Sequence, residues 1–195
     1  EQRQFVREIN DEADRLAQLV STLLDLSRIE AGLQQLDRAP CRIDRLVAGT
    51  LRRLHEPIPR LELALAPDLP PADADEARLE VVLRNLLANA LAYGNGLVRI
   101  AAEQRGTGLL LRVTDDGPGV APDELPHLFE RFYRAERGQQ RRAGGIGLGL
   151  AICKAFVEAH GGTIWAESGA HGTTFAFLIP LEAPAAPVPV EALAA

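Results

Sequence analysis

The sequence predicts an α/β sandwich, a mixed β-sheet covered by helices on one face, preceded by a long N-terminal helix. Three observations lead there. Apolar residues recur at helical spacing in four well-separated stretches. Strand-like segments come in neighbouring couples joined through glycines, 97–103 with 109–114 and 163–167 with 173–179. Helical and strand patterns interleave, but without the one-to-one alternation that a doubly wound parallel sheet requires.

Residues 1–33 read as one helix, because Phe5, Ile9, Leu16, Leu19, Leu23, Leu26, Ile29 and Leu33 recur at helical steps and Gly32 is a stop signal. One helix cannot bury so broad a stripe alone, so partner helices from elsewhere are expected. The chain starts already inside this pattern and is expected to be a piece of something longer. A first region at 1–36 is therefore set apart from a domain at 40–182, with Pro40 at the junction. Ile43, Leu46, Val47, Leu51 and Leu54 make a shorter amphipathic helix with Asp44 near its start. Leu61, Leu63 and Leu65 alternate with polar or small residues as a strand would. From Asp75 to about Tyr93 the pattern is helical again, through Leu79, Val82, Leu83, Leu86, Leu87 and Ala90.

After Gly94-Asn95-Gly96 come the first strand couple and its turn at Gly106-Thr107-Gly108. A short helix is expected at 122–128, and an arginine-rich mobile loop at 129–143. A helix is expected at 146–160, closed by Gly161-Gly162, and then the second strand couple. The Ala/Pro/Val-rich tail at 183–195 is expected to be disordered.

Composition removes several classes. The net charge of −6 gives no basic footprint for nucleic acid. Cys41 and Cys153 are too few for a disulfide framework and lack metal-site spacing, so a reducing compartment and two small core residues are expected. No apolar run approaches the ~18 residues of a membrane span.

Three stretches carry chemistry. Asn85 and Asn89 lie four apart on one helix and so share a face. They are either paired carboxamides for Mg²⁺ or phosphate-bound water, or surface amides. Asp115-Asp116-Gly117-Pro118-Gly119 follows a strand. It is either a plain turn or a strand-end carboxylate, beside glycines, that accepts from an exocyclic amine. In GGIGLGLAICKAF, residues 144–156, glycines crowd ahead of a helix. A helix starting there points free N–H groups and its positive dipole end into the gap, as phosphate requires; otherwise the run is a hinge. Amide pair, acid–glycine turn, lid and phosphate nest together supply what a nucleoside triphosphate needs.

At this point the chain resembles the ATP-binding domain of bacterial sensor histidine kinases, in the wider family with DNA gyrase, Hsp90 and MutL. NLLANALAYG is similar to that family's asparagine box, VTDDGPGV to its first glycine box, LFERFYR to its phenylalanine box and GGIGLGLAI to its second glycine box. DRLAQLVSTLLDLSRIEAG, residues 14–32, resembles the second helix of the dimerisation and histidine-phosphotransfer domain. The resemblance implies the Bergerat α/β sandwich and transfer of the ATP γ-phosphoryl group to a histidine. It implies that Asn89 binds Mg²⁺ with Asn85 in support. Asp115 would take the adenine amino group with Thr173 assisting, beside Gly117 and Gly119, and Tyr93 would lie near the base. Gly145, Gly147, Leu148 and Gly149 would offer backbone N–H groups to the phosphates. Implied partners are a response regulator, the protein's own histidine-bearing helix and a second copy joined through the N-terminal helix. The implied location is cytoplasmic, as a free protein or as the cytoplasmic part of a membrane-anchored sensor.

Two departures stand out. Ala92 occupies a position where the family often has a phosphate-reaching lysine, and Arg141 or Arg142 is expected to compensate. The family's phosphorylated histidine motif is missing, because His55, His127, His160 and His171 all lie in structural or solvated contexts. ATPases of the same superfamily place a water-activating glutamate where Asn85 stands, and an amide cannot take that proton, so kinase is favoured over hydrolase. A degenerate module that binds without transferring is the third reading.

Overall fold

A computed structural model of the chain describes residues 35–54, 58–135 and 147–182. The expected N-terminal helix, Arg141, Arg142, Gly145 and the tail lie outside the described residues. In chain order the elements are β1 (Ala39–Cys41), α1 (Ile43–Arg52), β2 (Arg60–Leu65), β3 (Ala72–Ala74), α2 (Glu76–Tyr93), β4 (Leu97–Arg105) and β5 (Gly108–Asp115). A 3-10 turn (Leu125–His127), α3 (Gly149–Ala159), β6 (Thr163–Gly169) and β7 (Gly172–Pro180) follow.

Five strands form one mixed sheet in the order β2-β4-β5-β7-β6. Only β2 and β4 run parallel; β4 with β5, β5 with β7 and β6 with β7 are antiparallel. Val98, Ile100 and Ala102 of β4, Leu111 and Val113 of β5, and Phe175, Phe177 and Ile179 of β7 are buried at alternate positions, toward α2 and α3. Facing them on α2 are Leu79, Val82, Leu83, Leu86, Leu87 and Ala90, and on α3 Ile152, Phe156 and Val157. Each of the larger side chains contributes roughly 1.5–3 kcal/mol on burial, the two alanines less. The opposite face carries polar pairs, Arg112 with Glu103 at 2.9 Å and Thr114 with Thr174 at 2.9 Å. The expected sandwich with helices on one face is what the chain forms.

Helix ends follow local chemistry. Asp75 caps α2, its Oδ1 accepting from the Arg78 N–H at 3.1 Å. Gly161, at φ 76°, closes α3, and the Gly162 N–H returns to the Val157 carbonyl at 2.9 Å. One buried cluster joins the far ends of both helices. The Asp75 N–H donates to His160 Nε2 at 3.0 Å, and His160 Nδ1–H donates to the Phe156 carbonyl at 2.7 Å. Arg38 reaches the carbonyls of Asp73 and Ala159 at 3.0 and 3.1 Å. Cys41 and Cys153 are free, buried core residues, as expected, and burial pushes the Cys41 thiol up to about 11.

Two sequence expectations are corrected, both on helix extents, and two further features had no counterpart among the expectations. Leu61 and Leu63 are exposed, because β2 is an edge strand that α1 and α2 do not cover; Arg60 and Arg99 on Glu62 put charge along the same edge. The helix expected at 122–128 is the short 3-10 turn, since Pro126 lacks the N–H an α-helix needs there. The helix expected from residue 146 begins at Gly149, because Gly147 sits at φ 77° and its carbonyl accepts from the Phe132 N–H at 2.9 Å. β1 and β3 form an unforeseen two-stranded ladder, Pro40 opposite Asp73. No described helix is long and apolar enough to cross a membrane.

Candidate functional site

The C-terminal half of α2, the turn after β5, the segment entering α3 and the β6–β7 hairpin enclose a cleft of about 700 Å³. Asn85, Asn89, Tyr93, Asp115, Gly119, Gly147, Gly149 and Thr173 all line it. The expected site residues therefore converge, although they come from four separate stretches. Gly117 and Leu148 are not in the lining. Gly117 orients the acid instead, and Leu148 is a buried residue at the N-terminal boundary of α3.

Asp115 ends β5 and is 5% exposed. Its Oδ1 accepts from the Gly117 N–H at 2.8 Å and the Thr173 N–H at 3.3 Å. Among the described residues no protein donor bonds its Oδ2, so one acceptor remains for a guest. Burial raises its pKa above the ordinary carboxylate range, the two N–H bonds oppose that rise, and neighbouring Asp116 adds to it. The β6–β7 hairpin closes tightly over this corner. A Cβ on Gly172 would lie 1.9 Å from the Asp115 carbonyl oxygen, and one on Gly119 (φ 78°) 2.0 Å from that of Gly169. Only glycine permits both approaches.

On the opposite wall Asn85 and Asn89 stand one helical turn apart. Behind Asn85 the buried Cys153 thiol donates to the Val82 carbonyl at 3.6 Å. Asn85 Oδ1 lies 3.3 Å from where a Gly149 Cβ would stand, so a larger first residue of α3 would crowd this amide. No described side chain caps α3, and Gly149 and Leu150, in its first turn, line the cleft. Its free N–H groups and positive dipole end are placed to meet an anion. Arg134 lines the same cleft, whereas Ala92 does not.

Sequence reasoning missed the residues that shape the remaining wall. Phe175, Val120, Leu128 and Pro122 supply apolar surface for a flat ring, and Ser168 supplies a hydroxyl. Val120 and Leu128 lie within the first glycine box and the phenylalanine box, but none of the five was singled out as a site residue, because each is an ordinary strand or turn residue until the fold turns it inward. Phe175 also meets Phe129 edge-to-face at 6.3 Å, which ties the phenylalanine box to the sheet.

Residues 74–183 match the family model described as histidine kinase-, DNA gyrase B-, and HSP90-like ATPase, and residues 1–32 match that of the His Kinase A (phospho-acceptor) domain. The circadian input-output histidine kinase CikA of Synechococcus elongatus is 37% identical over 188 residues, covering 92% of this chain and 25% of that protein. The probable sensor histidine kinase TcrY of Mycobacterium tuberculosis is 39% identical over 180 residues, covering 89% of this chain and 37% of that one. Among solved structures, full-length ShkA in complex with AMPPNP aligns with a TM-score of 0.79 at 32% identity, covering 95% of this chain and 40% of ShkA. The chain thus spans only a quarter to two fifths of these relatives. A buried acid, paired amides and an uncapped helix start around one cleft agree with the sequence match, and the chain belongs to the family of histidine kinase-, DNA gyrase B- and HSP90-like ATPases.

Proposed function

We propose that this chain is the catalytic, ATP-binding region of a two-component sensor histidine kinase. Its reaction is transfer of the γ-phosphoryl group of Mg-ATP to a histidine, for relay to a response regulator. The observation that carries the reading is the shared cleft of Asn89, Asp115 and Gly147. Asp115 Oδ2 accepts from the adenine amino group against the apolar wall of Phe175 and Val120. Tyr93 borders the base, and Gly147, Gly149 and Leu150 lead the phosphates to the start of α3.

The residues fit Mg²⁺. Two neutral carboxamides on one helix face are hard oxygen ligands, and this ion commonly takes few protein ligands besides phosphate oxygens and water. Held by Asn89 with Asn85 in support, the ion would neutralise charge on the transferring group. The chain's own residues do the rest, which is orientation. A neutral imidazole nitrogen attacks the γ-phosphorus, the bond to the β-phosphate oxygen breaks, and ADP leaves with that electron pair. No general base is required of Asn85. Arg141 or Arg142 supplies the charge that Ala92 does not. The acceptor histidine lies on another helix of the full-length protein, residues 1–33 pair two copies, and the region works in the cytoplasm.

The test is to supply a separately made helix pair bearing the family's phosphoacceptor histidine, with Mg-ATP. Acid-labile phosphate should appear on that helix and fall with Asn89→Ala. ATP binding without any such transfer would favour the degenerate module, and release of inorganic phosphate alone would favour an ATPase.

A further inference from the structure

Ser168, near the end of β6, lines the cleft and carries three hydrogen-bond contacts on one hydroxyl. The Val120 N–H donates to its Oγ at 2.7 Å. The Gly172 carbonyl lies 3.2 Å from the same oxygen, and Thr173 Oγ1 lies at 3.0 Å. A serine hydroxyl has one hydrogen and two lone pairs, whereas a carbonyl can only accept. The contact with Gly172 therefore uses the Ser168 hydrogen. The proton shared with Thr173 then comes from Thr173, and with the Val120 N–H it fills both Ser168 lone pairs. Every polar group in the cluster is satisfied by this one arrangement, as a partly buried network requires.

The consequence falls on the cleft. Thr173 spends its only hydroxyl hydrogen on Ser168, so Oγ1 turns lone pairs, not a donor, toward the space beside Asp115. The Thr173 N–H is already given to Asp115 Oδ1. At this corner Asp115 Oδ2 and Thr173 Oγ1 thus stand side by side as two acceptors. We propose that Ser168 is a specificity-determining residue for the nucleobase: by taking the Thr173 hydrogen it fixes an acceptor pair that suits the two hydrogens of a 6-amino group and repels a 6-oxo oxygen. The proposal rests on the nucleotide reading above and adds to it a residue that never needs to touch the base.

The experiment compares ATP with inosine triphosphate, which differs at that edge, by calorimetry on the whole chain. The wild type should prefer ATP. In Ser168→Ala the Thr173 hydrogen is free to turn toward the 6-oxo group, so the ATP-to-ITP preference should narrow by about tenfold, the worth of one hydrogen bond. In a Thr173→Val background the same Ser168→Ala change should leave the ratio alone. Equal weakening of both nucleotides would mean that Ser168 merely holds the Val120 turn, and would overturn the proposal. An unchanged ratio in Ser168→Ala, or narrowing that persists without the Thr173 hydroxyl, would overturn it too. A wild-type chain that binds neither triphosphate would instead bring down the nucleotide reading, and this proposal with it.

Discussion

The backbone N–H of Thr173 donates to Oδ1 of Asp115 at 3.3 Å, joining the start of β7 to the end of the neighbouring β5. That bond makes half of the carboxylate structural and leaves the other oxygen for the ligand. It also fixes how the site responds to acid. Burial holds the folded pKa of Asp115 above its unfolded value, so the folded state keeps this proton longer. Its contribution to stability is therefore full below the unfolded pKa and is lost as pH rises through the folded one. Ligand binding runs the other way, because the amino group needs the ionised acceptor. ATP affinity should fall on acidification at a pH above the ordinary aspartate value of about 3.9. Asp115→Asn should remove that limb and cost at least about tenfold in affinity. It should leave the melting temperature at neutral pH unchanged or raised, and an acid limb that survives in this variant would contradict the assignment.

Two glycines with positive φ separate backbone strain from site geometry. Gly106, at φ 61° in the β4–β5 turn, has no atom within 4 Å of a built Cβ. Gly106→Ala should cost about 1–2 kcal/mol of stability, the left-handed penalty alone, with ATP affinity unchanged. Gly119→Ala adds a Cβ 2.0 Å from the Gly169 carbonyl oxygen, so the turn must leave the hairpin. Its loss of ATP affinity should far exceed that of Gly106→Ala at matched stability, as titrations on both variants would show.

His160 is an acid-sensitive joint distant from the nucleotide. It is 1% exposed, burial lowers its pKa, and Nε2 must stay unprotonated to accept from the Asp75 N–H. Asp73 and Asp75 partly oppose that shift, whereas Arg38 reinforces it. The unfolded chain therefore takes the proton first. Stability from this group is complete above the unfolded value of about 6.5 and is lost progressively as pH falls below it. His160→Ala should cost about 1–3 kcal/mol at neutral pH and flatten this limb in denaturant titrations. A limb of unchanged slope would place the acid sensitivity elsewhere.

Much of this was legible in the sequence for physical reasons that are local. The hairpins β4–β5 and β6–β7 follow from alternation and turn glycines, and the candidate site from three stretches taken together, each of which alone reads as well as surface amides, a turn or a hinge. What escaped depended on distant partners. The parallel pairing of Leu61 with Val98 and the ladder of Ala72 with Cys41 leave no periodic mark in segments so short. The late start of α3 came from Phe132 holding the Gly147 carbonyl, a contact that no helix propensity encodes. Ser168 reads as one more strand serine until β7 brings Thr173 beside it.

Calorimetric titration of this chain with ATP, with Mg²⁺ and with the metal chelated, tests the convergence of the site most directly. The account predicts one ATP bound per chain, weaker binding without Mg²⁺, and losses of at least about tenfold for Asn89→Ala and for Asp115→Asn separately. Absence of binding, or two variants that bind as the wild type does, would contradict it.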